Sequence, residues 1–374
     1  MRVAARALEI VPSQIRRITD RAREGSLHLG LGQPDTALHP NVTAAIQNYV
    51  ASGRAPYTAN LGTHEARAAV AFHLGRSVDE VLITHGVEQG LALAFLGMVE
   101  PGDEVLIPDP GFPSYANLIR VAGGVPVPYP LGVDWRLDPE RVLAAISPKT
   151  RVILINSPSN PTGAVHAPGD LYEVLELCTA RGIRWISDEI YEDFVYDGVH
   201  ASPAETHFES GVRLGGLSKS HSMMGWRIGW MVAPSATIAA LKGLHQHLVT
   251  SACGASQAGL IAALEVHSEH ATAMANVFLK RGEVLHAALE THGIPCPRVM
   301  GAFYHFIDVR NAAERIGGSI ALAEEILEKV DVVTIPGVGF GTGGEGYLRL
   351  AYTVDEAVLA DAAGRIAQVL HALD

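Results

Sequence analysis

Lys219 and Arg227 stand eight positions apart in Gly215-Gly216-Leu217-Ser218-Lys219-Ser220-His221-Ser222-Met223-Met224-Gly225-Trp226-Arg227, directly after the strand-like Val212-Arg213-Leu214. Their neighbours are glycines, hydroxyls and apolar residues. A lysine withdrawn from water loses the stabilisation of its ammonium form, so its pKa falls and the free amine can form a Schiff base with an aldehyde. Arg227 offers a rigid fork that suits a phosphate. A lone lysine more often snorkels to the surface and a lone arginine pairs with a carboxylate, so the reading depends on what else the chain supplies.

Gly86-Val87-Glu88 lies where a strand gives way to a helix, and a helix N-terminus offers free N–H groups and a favourable dipole to a phosphate. The Glu88 carboxylate would repel that phosphate and is expected to turn away. Asp188-Glu189-Ile190-Tyr191 ends another strand, and a buried carboxylate there is costly unless a cationic partner holds it ionised. Arg349, inside the apolar run Leu348-Arg349-Leu350-Ala351-Tyr352, is equally costly unless an anion meets it. Phe112 follows Asp109-Pro110-Gly111 on a stiff loop, and Asn160 sits in the turn Ser157-Pro158-Ser159-Asn160-Pro161-Thr162-Gly163. Gly339-Phe340-Gly341-Thr342-Gly343-Gly344 fits G-x-G-x-x-G formally, but a strand follows it rather than a helix, so no dinucleotide site is expected.

Ser218-Lys219 with Arg227 in Met224-Gly225-Trp226-Arg227-Ile228-Gly229, preceded in order by Asn160, Asp188 and Tyr191, resembles the class I/II aminotransferases, fold-type I enzymes dependent on pyridoxal 5′-phosphate. The resemblance covers nearly the whole chain. It implies that Lys219 holds the cofactor and carries the proton, that Asp188 faces the pyridine nitrogen, and that Tyr191 and Asn160 reach the ring hydroxyl. It also implies that Phe112 stacks on the ring, and that Gly86, Val87, Glu88, Ser218 and Arg227 surround the phosphate. Arg349, with Gly32 and Asn160, would take the substrate carboxylate. Tyr57, in Tyr57-Thr58-Ala59-Asn60-Leu61-Gly62, resembles the family tyrosine that reaches the phosphate of the neighbouring subunit, so a homodimer with shared sites is implied. Gly216 departs from the pattern, since many relatives carry a phosphate-binding serine there.

These residues need a frame. Apolar runs at 81–84, 104–107, 125–127, 151–156, 184–188, 212–214 and 228–232 alternate with helical segments, which predicts a mostly parallel seven-stranded sheet binding its ligand outside the strands' carboxyl ends. A single long helix is predicted over 264–291. Strands at 302–309, 332–335 and 347–352, with helices near 318–329 and 354–372, predict a smaller α+β domain. The amphipathic arm 1–28, with Ser13 as a helix cap, is expected to pack on that domain because the family builds it from both chain ends. The fold class is thus α/β, with a large domain over 43–272 and a small one from 1–42 and 273–374.

A net charge of −12 and pI near 5.8 argue against nucleic-acid and anionic-membrane surfaces. Cys178, Cys253 and Cys296 are too scattered for a disulfide framework or a zinc site, and read as core or half-buried thiols of a reducing compartment. Most of the 17 histidines read as solvated, and no metal site is expected. No apolar leader or membrane-length run is evident, which gives the expectation of a soluble cytoplasmic protein. The expected activity is ping-pong transfer of an amino group from an L-amino acid to a 2-oxo acid. The alternatives are a pyridoxal-phosphate carbon–sulfur β-lyase on the same fold and, with less in its favour, a non-catalytic cofactor-binding module.

Overall fold

The seven apolar runs form one sheet. The computed structural model describes residues 3–10 and 12–373; of the arm, Met1, Arg2 and Val11 lie outside the described residues. The strands in chain order are β1 (Leu27–His28), β2 (Val81–Thr84), β3 (Glu104–Asp109), β4 (Val125–Pro130), β5 (Thr150–Asn156) and β6 (Arg184–Asp188). They continue with β7 (Gly211–Gly215), β8 (Gly229–Val232), β9 (Tyr304–Asp308), β10 (Val332–Val333), β11 (Ile335–Pro336) and β12 (Tyr347–Ala351). The large sheet has the order β2-β8-β7-β6-β5-β3-β4, and only β8 runs antiparallel to its neighbours.

Alternate side chains of β5 feed opposite faces. Val152 and Leu154 pack with Leu91 and Phe95 of the helix Gly86–Met98, whereas Ile153 and Ile155 pack with Leu171, Val174 and Leu175 of the helix Pro168–Thr179. Both faces being covered explains why these strands read as near-continuous apolar runs. Each such side chain contributes roughly 1.5–3 kcal/mol on burial. The consequence for function is geometric: Asn156, Asp188 and Gly215 end adjacent parallel strands on one edge of the sheet.

A second sheet, β11-β12-β9, is antiparallel and backs onto the helices His267–Thr291, Ser319–Val330 and Glu356–Leu373. The arm packs here. Ser13 caps the helix Gln14–Thr19, Ile18 is buried with Phe306, Leu327, Val333, Ile335 and Phe340, and Leu27–His28 pairs with Val332–Val333. Among the described residues no helix is long and apolar enough to cross a membrane.

Four expectations need correction. The long helix is two, Gly254–Glu265 and His267–Thr291: Val266 leaves helical geometry at φ −111 and ψ 10, and His267 is drawn to Asp193 at 3.0 Å. With no glycine or proline at the break, composition could not mark it. The run 332–335 is also split, because Thr334 switches the chain from the β1 partner to the β12 partner. Cys253 is exposed rather than buried or half-buried. The histidines are less solvated than expected: only four of the 17 are exposed, His166, His221, His245 and His305 are buried, and His221 stacks with His267 and tilts against His270. Burial pushes the His221 imidazole down to about 3, so it packs as a neutral ring.

Candidate active site

Asp188 closes β6, and Lys219 follows the end of β7 beside it. Tyr115 OH donates to Asp188 Oδ2 at 2.8 Å, and the Ile190 N–H donates to Oδ1 at 3.3 Å. Burial outweighs both and raises the carboxyl to about 6. Among the described residues no lysine, arginine or histidine pairs with it. Glu189, next in the chain, is instead neutralised by Arg213 at 2.9 Å and bonded by His200 at 3.0 Å. The Lys219 ammonium lies deep and donates to Gly32 O at 2.8 Å. Burial, then the positive charge of Arg349, lower its pKa to about 8, which brings a free amine within reach of neutral pH.

Arg349 occupies the centre of β12 and is 2% exposed. Its Nη1 donates to Asn160 Oδ1 at 2.9 Å and its Nη2 to Gly30 O, while Nε is buried without a hydrogen-bond partner among the described residues. The guanidinium lies 4.5 Å from the Tyr304 ring centroid and 4.9 Å from that of Phe340. A fork held by rings, with donor capacity left over, suits a carboxylate. Tyr304 OH in turn meets Tyr191 OH at 2.8 Å. A Cβ on Gly32 would lie 1.8 Å from Tyr304 OH, so only glycine allows this approach. Asn160 is fixed from behind: its N–H donates to Asn156 Oδ1 at 2.9 Å, and Asn156 Nδ2 donates to Asp188 O at 2.9 Å.

At the other end, Gly86 opens its helix at φ +73, and a Cβ there would lie 3.0 Å from Arg227 Nη2. Arg227 itself has φ 50, a left-handed conformation unusual for a side-chain-bearing residue and frequent at functional sites. Its Nη1 donates to Met224 O at 2.9 Å, and among the described residues no other side-chain hydrogen bond or ion pair engages the fork. Glu88 stands in the first turn of the helix that Gly86 opens. It is exposed, contributes to the same cavity wall, and its charge is felt at Asp188 and Tyr115. As an acidic residue in the first turn of its helix it is favoured there by the dipole. Gly216 is packed at a would-be Cβ distance of 3.1 Å from Gly229 Cα and 3.2 Å from Ile228 O, so a serine would press on backbone.

One cavity of about 410 Å³ joins these groups. Gly32, Val87, Glu88, Phe112 and Asn160 line it, as do Asp188, Tyr191, Ser218, Lys219, Arg227 and Arg349. Gly86 stands just behind Arg227. Tyr57 is outside this wall, 87% exposed. Sequence reasoning missed Tyr115, Tyr304 and the arm residues Ser13, Ile15 and Arg16, which also line the cavity. The residues present fit pyridoxal phosphate: a depressed lysine for its aldehyde, a buried carboxylate without a cation for its ring nitrogen, and a glycine helix start beside an arginine for its phosphate.

The family profile of aminotransferase class I and II matches residues 24–366. The chain is 35% identical over 382 residues to the aspartate aminotransferase of Pyrococcus horikoshii, covering 98% of this chain and 97% of that one. It is 33% identical over 394 residues to that of Geobacillus stearothermophilus, covering 100% of both. A single-mutant aspartate aminotransferase structure from Thermus thermophilus superposes with a TM-score of 0.92 at 30% identity, over 99% of this chain and 100% of that one. These are transferase names, and they lend nothing to the β-lyase alternative. With its sheet order, its cavity and matches that run nearly end to end, the chain belongs to the aminotransferase class I and II family, whose members work with pyridoxal phosphate.

Proposed function

We propose that this pyridoxal-phosphate-dependent aminotransferase uses Lys219, Asp188 and Tyr191 as its catalytic set. The observation that carries the proposal is that the buried Asp188 and Arg349 and the half-buried Lys219, from separate parts of the chain, open into one cavity. When bound, pyridoxal phosphate supplies an aldehyde that exchanges amines and a ring that withdraws electrons. Arg349 and Asn160 bind the substrate α-carboxylate, with Gly32 beside them. Lys219 would hold the cofactor through its aldehyde, and its free Nζ would be the base that takes the proton from the substrate Cα. Asp188 balances positive charge at the ring nitrogen. Tyr191, with Tyr304 behind it, and Asn160 serve the ring hydroxyl. Phe112 would cover the ring face, and Gly86, Val87, Glu88, Ser218 and Arg227 would surround the phosphate.

Half-reactions test the assignment. With an amino donor alone, the holoenzyme should release one 2-oxo acid per site and no ammonia, and further turnover should require an added 2-oxo acid. Continuous release of pyruvate and ammonia would mean elimination, and no release with any donor would leave only cofactor binding.

We further propose a division into a large domain over 43–272 and a small one from 1–42 and 273–374, a cytoplasmic home consistent with three unpaired thiols, and a homodimer in which Tyr57 reaches the phosphate of the partner subunit. Supporting the dimer, Val50, Tyr57 and Phe72 leave large apolar surface in water, with Phe72 92% exposed. Mixing Lys219→Ala chains with Tyr57→Asp chains, each inactive alone, should restore activity, because one site of the heterodimer then receives an intact lysine and an intact tyrosine. Failure to complement in heterodimers verified by mass, or full activity in a proven monomer, would sink the shared site.

A further inference from the structure

We infer that Asp109 is a positioning residue: by clasping the glycine-rich strap at 341–343 it fixes the separation between Phe112, on the cofactor-ring side of the cavity, and Arg349, on the substrate-carboxylate side. The inference rests on the assignment of Arg349 to the substrate carboxylate above. Asp109 ends β3, and the loop it opens carries Phe112 into the cavity wall. Its Oδ2 accepts from Thr342 Oγ1 at 2.9 Å, and the Gly343 N–H donates to Oδ1 at 3.0 Å and to Oδ2 at 3.1 Å. A further tie runs beside these, in which the Gly111 N–H donates to Phe340 O at 2.7 Å. Among the described residues no lysine, arginine or histidine forms an ion pair with Asp109, so the strap's donors are what its charge meets. The strap is shaped to admit that carboxylate. A Cβ on Gly341 would lie 2.1 Å from Asp109 Oδ1 and one on Gly343 3.2 Å from Asp109 Cγ, and Gly341 also holds φ +130, which side-chain-bearing residues rarely adopt.

What the clasp joins is the two halves of the site. On one side the Phe112 ring meets Tyr115 edge-on with centroids 5.6 Å apart, and Tyr115 OH donates to Asp188, the carboxylate assigned to the ring nitrogen. On the other side the strap follows the buried Phe340, whose ring centroid lies 4.9 Å from the Arg349 guanidinium, and leads into β12, where Arg349 stands. A ring face supports a guanidinium without taking its hydrogen-bond donors, so moving Phe340 moves the seat of the fork. A groove of about 380 Å³ opens beside the clasp, lined by Asp109, Phe112, Phe340 and Thr342 among others. The two loops are thus not pressed together by continuous packing, and hydrogen bonds to a charged acceptor, which are the stronger kind, set their spacing. A substrate held by its carboxylate at Arg349 and by its amine near Lys219 tolerates little error in that spacing, because misplacement by about 1 Å can cost on the order of 100-fold in rate.

The test compares Asp109→Ala, Asp109→Asn, Thr342→Val and the double variant Asp109→Ala/Thr342→Val with wild type and with Arg349→Lys. The probes are propionate, succinate and 3-phenylpropionate, the amine-free counterparts of alanine, aspartate and phenylalanine, as inhibitors of the holoenzyme, and pyridoxal phosphate titrated into cofactor-free protein. In Asp109→Ala the inhibition constants of all three acids should rise together by on the order of 10-fold, because the carboxylate is what they share, while the dissociation constant of pyridoxal phosphate stays within about threefold of wild type. Donor kcat/KM should fall by a similar factor, chiefly through KM. Asp109→Asn keeps an oxygen for the Gly343 N–H and should recover part of the loss. Thr342→Val should add little to Asp109→Ala, because both remove one contact. Cofactor binding weakened as much as inhibition, as for a fold loosened throughout, overturns the positioning role, and so does normal inhibition in Asp109→Ala beside impaired inhibition in Arg349→Lys. Normal inhibition in Arg349→Lys would instead overturn the carboxylate assignment itself, so the two readings fail separately.

Discussion

Lys219→Ala should lose the borohydride-reducible linkage to pyridoxal phosphate altogether, and transamination should fall by on the order of 10⁴-fold or more, because one change removes both the covalent anchor and the proton carrier. Among the described residues Lys219 is the one lysine that lines the cavity. Its burial and the nearby Arg349 charge bring the amine to about 8, so a useful fraction is unprotonated near neutral pH. A surface lysine would keep its proton and react more slowly. The measurement is mass spectrometry of the reduced holoenzyme, with peptide mapping, beside steady-state rates. Retention of a reducible adduct in the variant would move the nucleophile elsewhere. Non-covalent cofactor should still bind, since Arg227, Gly86 and Asp188 are untouched.

The large sheet was legible because strands buried on both faces must be apolar along their length, and all seven of its strands lie where the apolar runs stand. The site was legible for a related reason. Asn160, Asp188, Lys219 and Arg349 are polar residues embedded in or just beyond such runs, where burial is costly unless a ligand or partner answers it. Tyr115 and Tyr304 escaped because a buried tyrosine reads as ordinary core; that their hydroxyls reach Asp188 and Tyr191 depends on contacts spanning 73 and 113 positions. The histidines misled because polarity in a chain does not say whether a neutral imidazole will stack. The glycine run at 339–344 is likewise explained by packing: Thr342 Oγ1 and Gly343 N–H donate to Asp109 at 2.9 and 3.0 Å, and Gly111 N–H donates to Phe340 O at 2.7 Å, joining this loop to the one that carries Phe112.

Asp188→Ala should lower transamination by on the order of 10³-fold or more while the protein still binds cofactor through Lys219 and the Arg227 end, because the charge that stabilises electron withdrawal is lost but both anchors remain. The carboxylate is buried, accepts only from Tyr115 and the Ile190 N–H, and has no cationic partner among the described residues. Without one it is pushed up to about 6; a cation at its free edge would reverse that shift and keep it ionised. Alanine also leaves the Tyr115 hydroxyl without its acceptor, so part of any loss could come from packing. Asp188→Asn separates the two effects, since the amide keeps the volume and an acceptor for Tyr115 but cannot carry the charge. Both variants should therefore lose kcat by similar large factors, and Asp188→Asn should keep the wild-type melting temperature more closely than Asp188→Ala. An asparagine variant with near-normal kcat would show that the charge of Asp188 is not what the reaction uses.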